Sequence, residues 1–153
     1  MNDPGEWGRT AIEPAQLTVG RYGTWRLTYT AGRHVIEAGG DIRIRPYGNP
    51  LVRPPGQTLF PAEDNFVTSQ APAGVRVELH CDEWLIVTVR LLEGRLAPGE
   101  SVVVTYGDAS RGSRGFKVRP IAHDLRFRVS VRPTAAAQPI ALRERPLLQL
   151  VPD

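Results

Sequence analysis

One cysteine, one lysine and no long apolar run mark this chain of 153 residues, and each scarcity removes a class of explanation. Cys81 stands alone, so no internal disulfide holds the fold and no cysteine cluster is available for zinc. A chain of this length buries about 70% of its unfolded surface and needs no such staple. No apolar stretch approaches the ~20 residues of a membrane span, and the first residues, Met1 to Trp7, carry no signal-peptide core. Cytoplasmic residence without membrane contact is the expectation. Helical periodicity is missing as well, and so is any repeat of 20 to 50 residues.

The net charge is +3, yet Lys117 is the sole lysine among 19 basic residues. Arginine, alanine, glycine and proline together suggest a GC-rich bacterial genome. Acidic residues are interspersed throughout, so no continuous basic tract follows a phosphate backbone, and RNA-binding motifs are absent. The expectation is no nucleic-acid partner.

What is present is alternation. Val75, Val77, Leu79 and Cys81 alternate with Arg76, Glu78, His80 and Asp82. Leu85, Val87, Val89 and Leu91 alternate with Trp84, Ile86, Thr88 and Arg90, and Phe127, Val129 and Val131 with Arg126, Arg128, Ser130 and Arg132. Successive strand side chains point to opposite faces, so each pattern describes a sheet with one dry face. Trp25, Leu27 and Tyr29, then Ile42 and Ile44 beside Arg43 and Arg45, repeat it, while Val102-Val103-Val104 reads as a strand covered on both sides. Residues 1–13 read as an N-terminal arm, and residues 14–153 as a single all-β domain. A two-sheet immunoglobulin- or fibronectin-like β-sandwich fits best, with a small closed barrel as the alternative. Trp25, Leu27, Val77, Leu79, Val87, Val89, Val104, Phe127 and Val129 are the expected core, with Cys81 a buried, inert thiol.

Two long loops stand out. Residues 46–61 contain five prolines, which exclude a central strand. Residues 107–115 are rich in Gly, Ser and Arg but match neither the Gly-x-Ser-x-Gly nucleophile elbow nor a Gly-Lys-Ser/Thr phosphate loop. Loops on a rigid sandwich carry specificity. A ligand is therefore expected between them, touching Tyr47, Trp84, Asp108, Arg111 or Arg114. The arginines suit a carboxylate, sulfate or phosphate, and the aromatic rings a sugar. The densest titratable cluster is His80, Asp82 and Glu83. His80 and Asp82 share a strand face, as a base and its orienter would. Two ligands do not make a metal site, so no metal and no cofactor is expected. Glu63-Asp64 is likewise too small for calcium, and His34 and His123 read as surface or turn residues.

Gly23-Thr-Trp-Arg-Leu-Thr-Tyr-Thr-Ala-Gly32, Gly39-Gly40-Asp-Ile-Arg-Ile, Leu96-Ala-Pro-Gly-Glu-Ser-Val-Val-Val-Thr-Tyr-Gly-Asp108 and Phe127-Arg-Val-Ser-Val-Arg-Pro133 resemble one known module. It is the N-terminal β-sandwich of large bacterial proteins of the DUF3604 type, in which a metal-dependent-hydrolase-like domain follows. The resemblance implies the sandwich and a connection with hydrolysis of sugars or other small polar substrates. This chain ends at Asp153, where the hydrolase-like part would begin, and has no metal-ligand histidine set, so the activity does not carry over. Two readings follow. The first is a non-catalytic binding or accessory module for a small polar or anionic ligand, a carbohydrate or a hydrolase-like partner domain. The second is a small stand-alone hydrolase or lyase using His80, Asp82 and Glu83.

Overall fold

Burial follows the sequence alternation in the computed structural model, which describes residues 4–47, 56–82 and 84–153. A four-residue helix, α1 (Pro4–Trp7), precedes β1 (Arg9–Glu13), β2 (Gln16–Thr18), β3 (Tyr22–Gly23), β4 (Trp25–Thr30) and β5 (Asp41–Tyr47). There follow β6 (Val67–Gln70), β7 (Arg76–Cys81), β8 (Val87–Glu93), β9 (Ser101–Tyr106) and β10 (Phe116–Lys117). The chain finishes with β11 (His123–Arg132), β12 (Ile140–Ala141) and β13 (Leu147–Val151). The fold is all-β. One sheet runs β1-β4-β9-β6 and a second, larger one β2-β13-β11-β5-β8-β7, with β12 added on β11 and a two-stranded ribbon β10-β3 apart from both.

The apolar faces of the two larger sheets share a core. Trp25 of β4 lies flat on Tyr106 of β9, with ring centres 4.7 Å apart and planes within 7°. Phe127 of β11, from the other sheet, sits 5.8 Å from Tyr106, and Phe116 meets Trp25 edge-on at 4.9 Å. Such offset and edge contacts add about 0.5–1.5 kcal/mol per pair beyond the area they bury. Leu27, Val87, Val89, Val104 and Val129 are buried around them, as expected. Val77 and Leu79 only pack against the core from its margin, because β7 is the edge strand of its sheet and is half-covered along its length.

Three departures have physical reasons. Residues 9–13, expected as part of an arm, form β1, whose whole length pairs with β4; Ile12 alone gives too weak an alternation to announce a strand. Pro46 belongs to β5 and lies opposite Phe127. It falls beyond Ile44, where the ladder to β8 ends, so its missing N–H interrupts nothing on that side. Residues 48–55 of the proline-rich stretch lie outside the described residues. Val103, expected to be covered on both sides, is only half-buried, because β9 is central within its sheet but has one face turned outward.

The β7–β8 connection is a short loop organised by Asp82. Asp82 Oδ1 accepts from the backbone N–H groups of Trp84 and Ile86, each at 2.9 Å. Leu85 takes a left-handed conformation (φ 60°) and drops its side chain fully into the core. The cost of that backbone is repaid by burial of a leucine, ~1.5–3 kcal/mol.

Denaturant unfolding should separate centre from margin. Leu27→Ala, at a fully buried site, is expected to cost ~3–5 kcal/mol through lost burial and a residual cavity. Leu79→Ala, at the half-covered edge, should cost clearly less, about 1–2 kcal/mol.

Candidate functional site

The segment 56–66 and the loop 107–115 are clamped together. Gln57 folds the first: its Oε1 accepts from the N–H groups of Leu59 and Phe60, and its Nε2 donates to the carbonyl of Phe60. Asn65 then bridges to the second loop. Its N–H donates to Gly115 O at 3.0 Å, and its Oδ1 accepts from Lys117 N at 2.7 Å. Gly107 is required where the second loop leaves β9. It has φ +77°, and a Cβ there would lie 2.4 Å from Phe116 N and 2.6 Å from Gly23 O.

At the junction Arg114 grips Asp64 with two parallel bonds, Nε to Oδ1 at 3.1 Å and Nη2 to Oδ2 at 3.0 Å. Tyr22 OH donates to the same Oδ2 at 2.9 Å, while the Arg114 guanidinium lies 4.5 Å above the Tyr22 ring. The Arg114 hydrogen bond and then that of Tyr22 hold the Asp64 carboxyl below its ordinary range, and the Asp64 bond raises the Tyr22 hydroxyl. Ala62, Glu63, Asp64 and Arg114 line an open cleft of ≈ 400 Å³.

Of the residues expected to surround a ligand, only Arg114 lines this cleft. Asp108 belongs to the same loop but is committed inward: Oδ2 accepts from Thr68 Oγ1 at 2.7 Å and Oδ1 from Ser110 N at 2.9 Å. Hydrogen bonding to the Ser110 side chain first, then to Thr68, holds its carboxyl below the ordinary range. Arg111 is exposed on the loop. Trp84 is 55% exposed at the β7–β8 turn. Tyr47 lies at the end of β5, opposite Arg126, with Arg128 and Arg145 each 5.7 Å from its ring centre. Tyr22 and Asp64 were the residues to find. Their contacts span 42 positions in the chain, and no local spacing announces such a pairing.

The acid–base cluster also resolves into separate parts. His80 is exposed on β7 opposite Thr88. Asp82 lies past the end of β7, and its carboxylate oxygen Oδ1 is taken up by the turn amides. Glu83 is outside the described residues. Among the described residues no three His, Cys, Asp or Glu side chains gather as metal ligands. Cys81 is partly rather than fully buried, and that burial, ahead of the nearby Asp82 charge, pushes its thiol up to about 12. At neutral pH it is therefore protonated, the inert state.

A second concave site lies on the outward face of the larger sheet. On β5 the inward set is Ile42, Ile44 and Pro46, and the outward set is Arg43, Arg45 and Tyr47. On β11 Phe127, Val129 and Val131 point in, and Arg126, Arg128 and Ser130 point out. The register sets Arg45 directly opposite Arg128 and Arg43 opposite Ser130. Arg43, Arg45, Arg128, Ser130 and Pro139 line a cleft of ≈ 200 Å³. Like charges directly opposed across a ladder are destabilising. No ion pair among the described residues compensates Arg43, Arg45 or Arg128, whereas Arg132 at the end of the same ladder is paired with Asp41.

No family model matches the chain, and no curated protein matches it. Among solved structures it is similar to AvmM, described as catalysing macrocyclization in alchivemycin A biosynthesis. That likeness covers 93% of this chain and 87% of the other, at 13% identity and a TM-score of 0.44. No helix among the described residues is long and apolar enough to cross a membrane.

Acid should loosen the loop junction. Asp64 and Asp108 titrate below the ordinary carboxylate value when folded, so their stabilisation is whole above about pH 4 and is lost as pH falls through the lowered values. Unfolding midpoints measured from pH 5 downward should therefore fall more steeply for the native chain than for Asp64→Asn or Asp108→Asn.

Proposed function

We propose that this chain is a non-catalytic binding or accessory module that recognises a neutral, hydroxyl-rich ligand, a carbohydrate in the first instance, at the junction of its two loops. The observation that carries the reading is the Asp64–Arg114 pair at the rim of the ≈ 400 Å³ cleft. Arg114 spends its charge on Asp64, so the cleft has lost the anion preference its arginine would otherwise confer. What it offers instead is a set of fixed donors and acceptors: the remaining guanidinium N–H groups, the acceptor capacity that Arg114 and Tyr22 leave on Asp64, and the exposed Glu63 carboxylate. Hydroxyl groups that both donate and accept satisfy such a set, and a preformed pair loses little freedom on binding.

The scaffold we assign is an immunoglobulin-like sandwich. The orders β1-β4-β9-β6 and β13-β11-β5 match the A-B-E-D and G-F-C arrangements of that architecture. The β7–β8 pair is then an insertion between the fourth and fifth strands that extends the second sheet beyond β5. An accessory role draws support from the resemblance to the sandwich module of DUF3604-type proteins, which implies a hydrolase-like partner domain. The alternative, a hydrolase or lyase at His80, Asp82 and Glu83, is weakened by the engagement of Asp82 in its own turn.

A screen of neutral mono- and oligosaccharides by calorimetry or glycan array tests the reading. Arg114→Ala and Glu63→Gln should each weaken binding about tenfold, the cost of losing one hydrogen bond to a charged group. Glu63→Gln leaves the ion pair intact and so separates ligand contact from loop collapse. Trp84→Ala should change nothing. Binding indifferent to both Arg114→Ala and Glu63→Gln would move the site elsewhere.

A further inference from the structure

We infer that the arginine-lined cleft on the outward face of β5 and β11 is a binding site for a phosphate or sulfate group carried by a small ligand, separate from the loop junction. Arg43 and Arg45 leave β5 on one face, and the register brings Arg128 of β11 directly against Arg45. Three guanidinium groups thus converge on one concavity without a carboxylate among its lining residues Arg43, Arg45, Arg128, Ser130 and Pro139. The nearby acidic residues are engaged elsewhere: Asp41 holds Arg132 through Oδ2 at 2.6 and 2.9 Å, and Asp124 lies 3.7 Å from Arg126. An arrangement that is repulsive when empty becomes favourable when a dianion enters, because each guanidinium then gains a charge-assisted bond.

Shape and rigidity point the same way. The volume of ≈ 200 Å³ is below the ~300–1,000 Å³ of drug-sized pockets and amounts to about seven waters, enough for one tetrahedral oxyanion and part of what bears it. Ser130 adds a hydroxyl donor beside Arg43. Pro139, in the turn before β12, closes one wall. Tyr47 steadies Arg128 by lying 5.7 Å from its guanidinium carbon. All three arginines stand on paired strands of one ladder, so the backbone under the site is fixed before any ligand arrives. The single-group dimensions favour a small oxyanion over a polyanion tracking across the sheet.

Isothermal titration of the whole chain with inorganic phosphate and inorganic sulfate, against chloride at matched ionic strength, tests this directly. Saturable one-to-one binding of phosphate or sulfate over chloride is expected. A sugar phosphate should bind at least as well as phosphate if the bearer of the group contributes. Arg45→Gln and Arg128→Gln should each weaken binding about tenfold or more, while Arg95→Gln, in the β8–β9 turn, should not. Thermal unfolding in chloride controls for folding: because Arg45 and Arg128 repel, neither variant should unfold earlier than the native chain. The inference is overturned if phosphate and sulfate match chloride, or if Arg95→Gln weakens binding as much as Arg128→Gln. It is equally overturned if a single-stranded oligonucleotide binds while phosphate and sulfate do not, which would make the face a polyanion surface. Because Arg114 and Glu63 lie outside the cleft, saccharide binding at the loop junction succeeds or fails independently of this result.

Discussion

The register between β5 and β11 is the constraint on which the rest depends. It places Ile42 against Val131 and Ile44 against Val129 on the dry face and, by the same alternation, Arg45 against Arg128 on the wet one. A slip of one residue would send the arginines inward and the valines outward, an exchange no core of this size tolerates. Asp41 pins one end of the ladder. It is 4% exposed and faces Arg132 in the register, and the two are joined by short charge-assisted bonds. Removing either partner would leave a charge without its counterpart, so the pair selects this register against its neighbours. With β5 and β11 fixed, Phe127 reaches Tyr106, Tyr106 stacks on Trp25, and the two larger sheets close on a common core.

The same alternation divides the polar chemistry. At the loop junction the charges cancel: Arg114 and Asp64 face each other as a bidentate pair, with Tyr22 completing the carboxylate's partners. On the sheet face they do not cancel, since strand geometry forces Arg43, Arg45 and Arg128 to one side whether or not an acid lies near. A preformed neutral pair suits hydroxyl groups, and an uncompensated arginine cluster suits an oxyanion. One small β-fold thus presents two polar surfaces of different character.

Much of the fold was legible because period-two patterns are local. Trp25, Leu27, Val87, Val89, Phe127 and Val129 announce their own burial through the polar residues between them. β1 was not legible, because Ile12 is its one large apolar residue and its pairing with β4 is a long-range matter. The site was less legible still. Arg43, Arg45, Arg126 and Arg128 were visible as the wet side of two strands, but their meeting depends on which strands pair and in what register. Asp82 looked like half of an acid–base pair because it stands two residues from His80; the strand ends at Cys81, and the aspartate turns to serve backbone amides. Short polar side chains beside turns often satisfy their own backbone first, and spacing alone does not reveal it.

The central claim is that Arg43, Arg45 and Arg128, brought to one face by the β5–β11 register, act together on an anion. Arginine side-chain N–H resonances followed by nuclear magnetic resonance during an inorganic phosphate titration report on this residue by residue. The Nε–H signals of Arg43, Arg45 and Arg128 should move together and saturate at a common ligand concentration, while those of Arg111 and Arg95 stay in place. Small, unsaturated shifts spread evenly over all the arginines would contradict it.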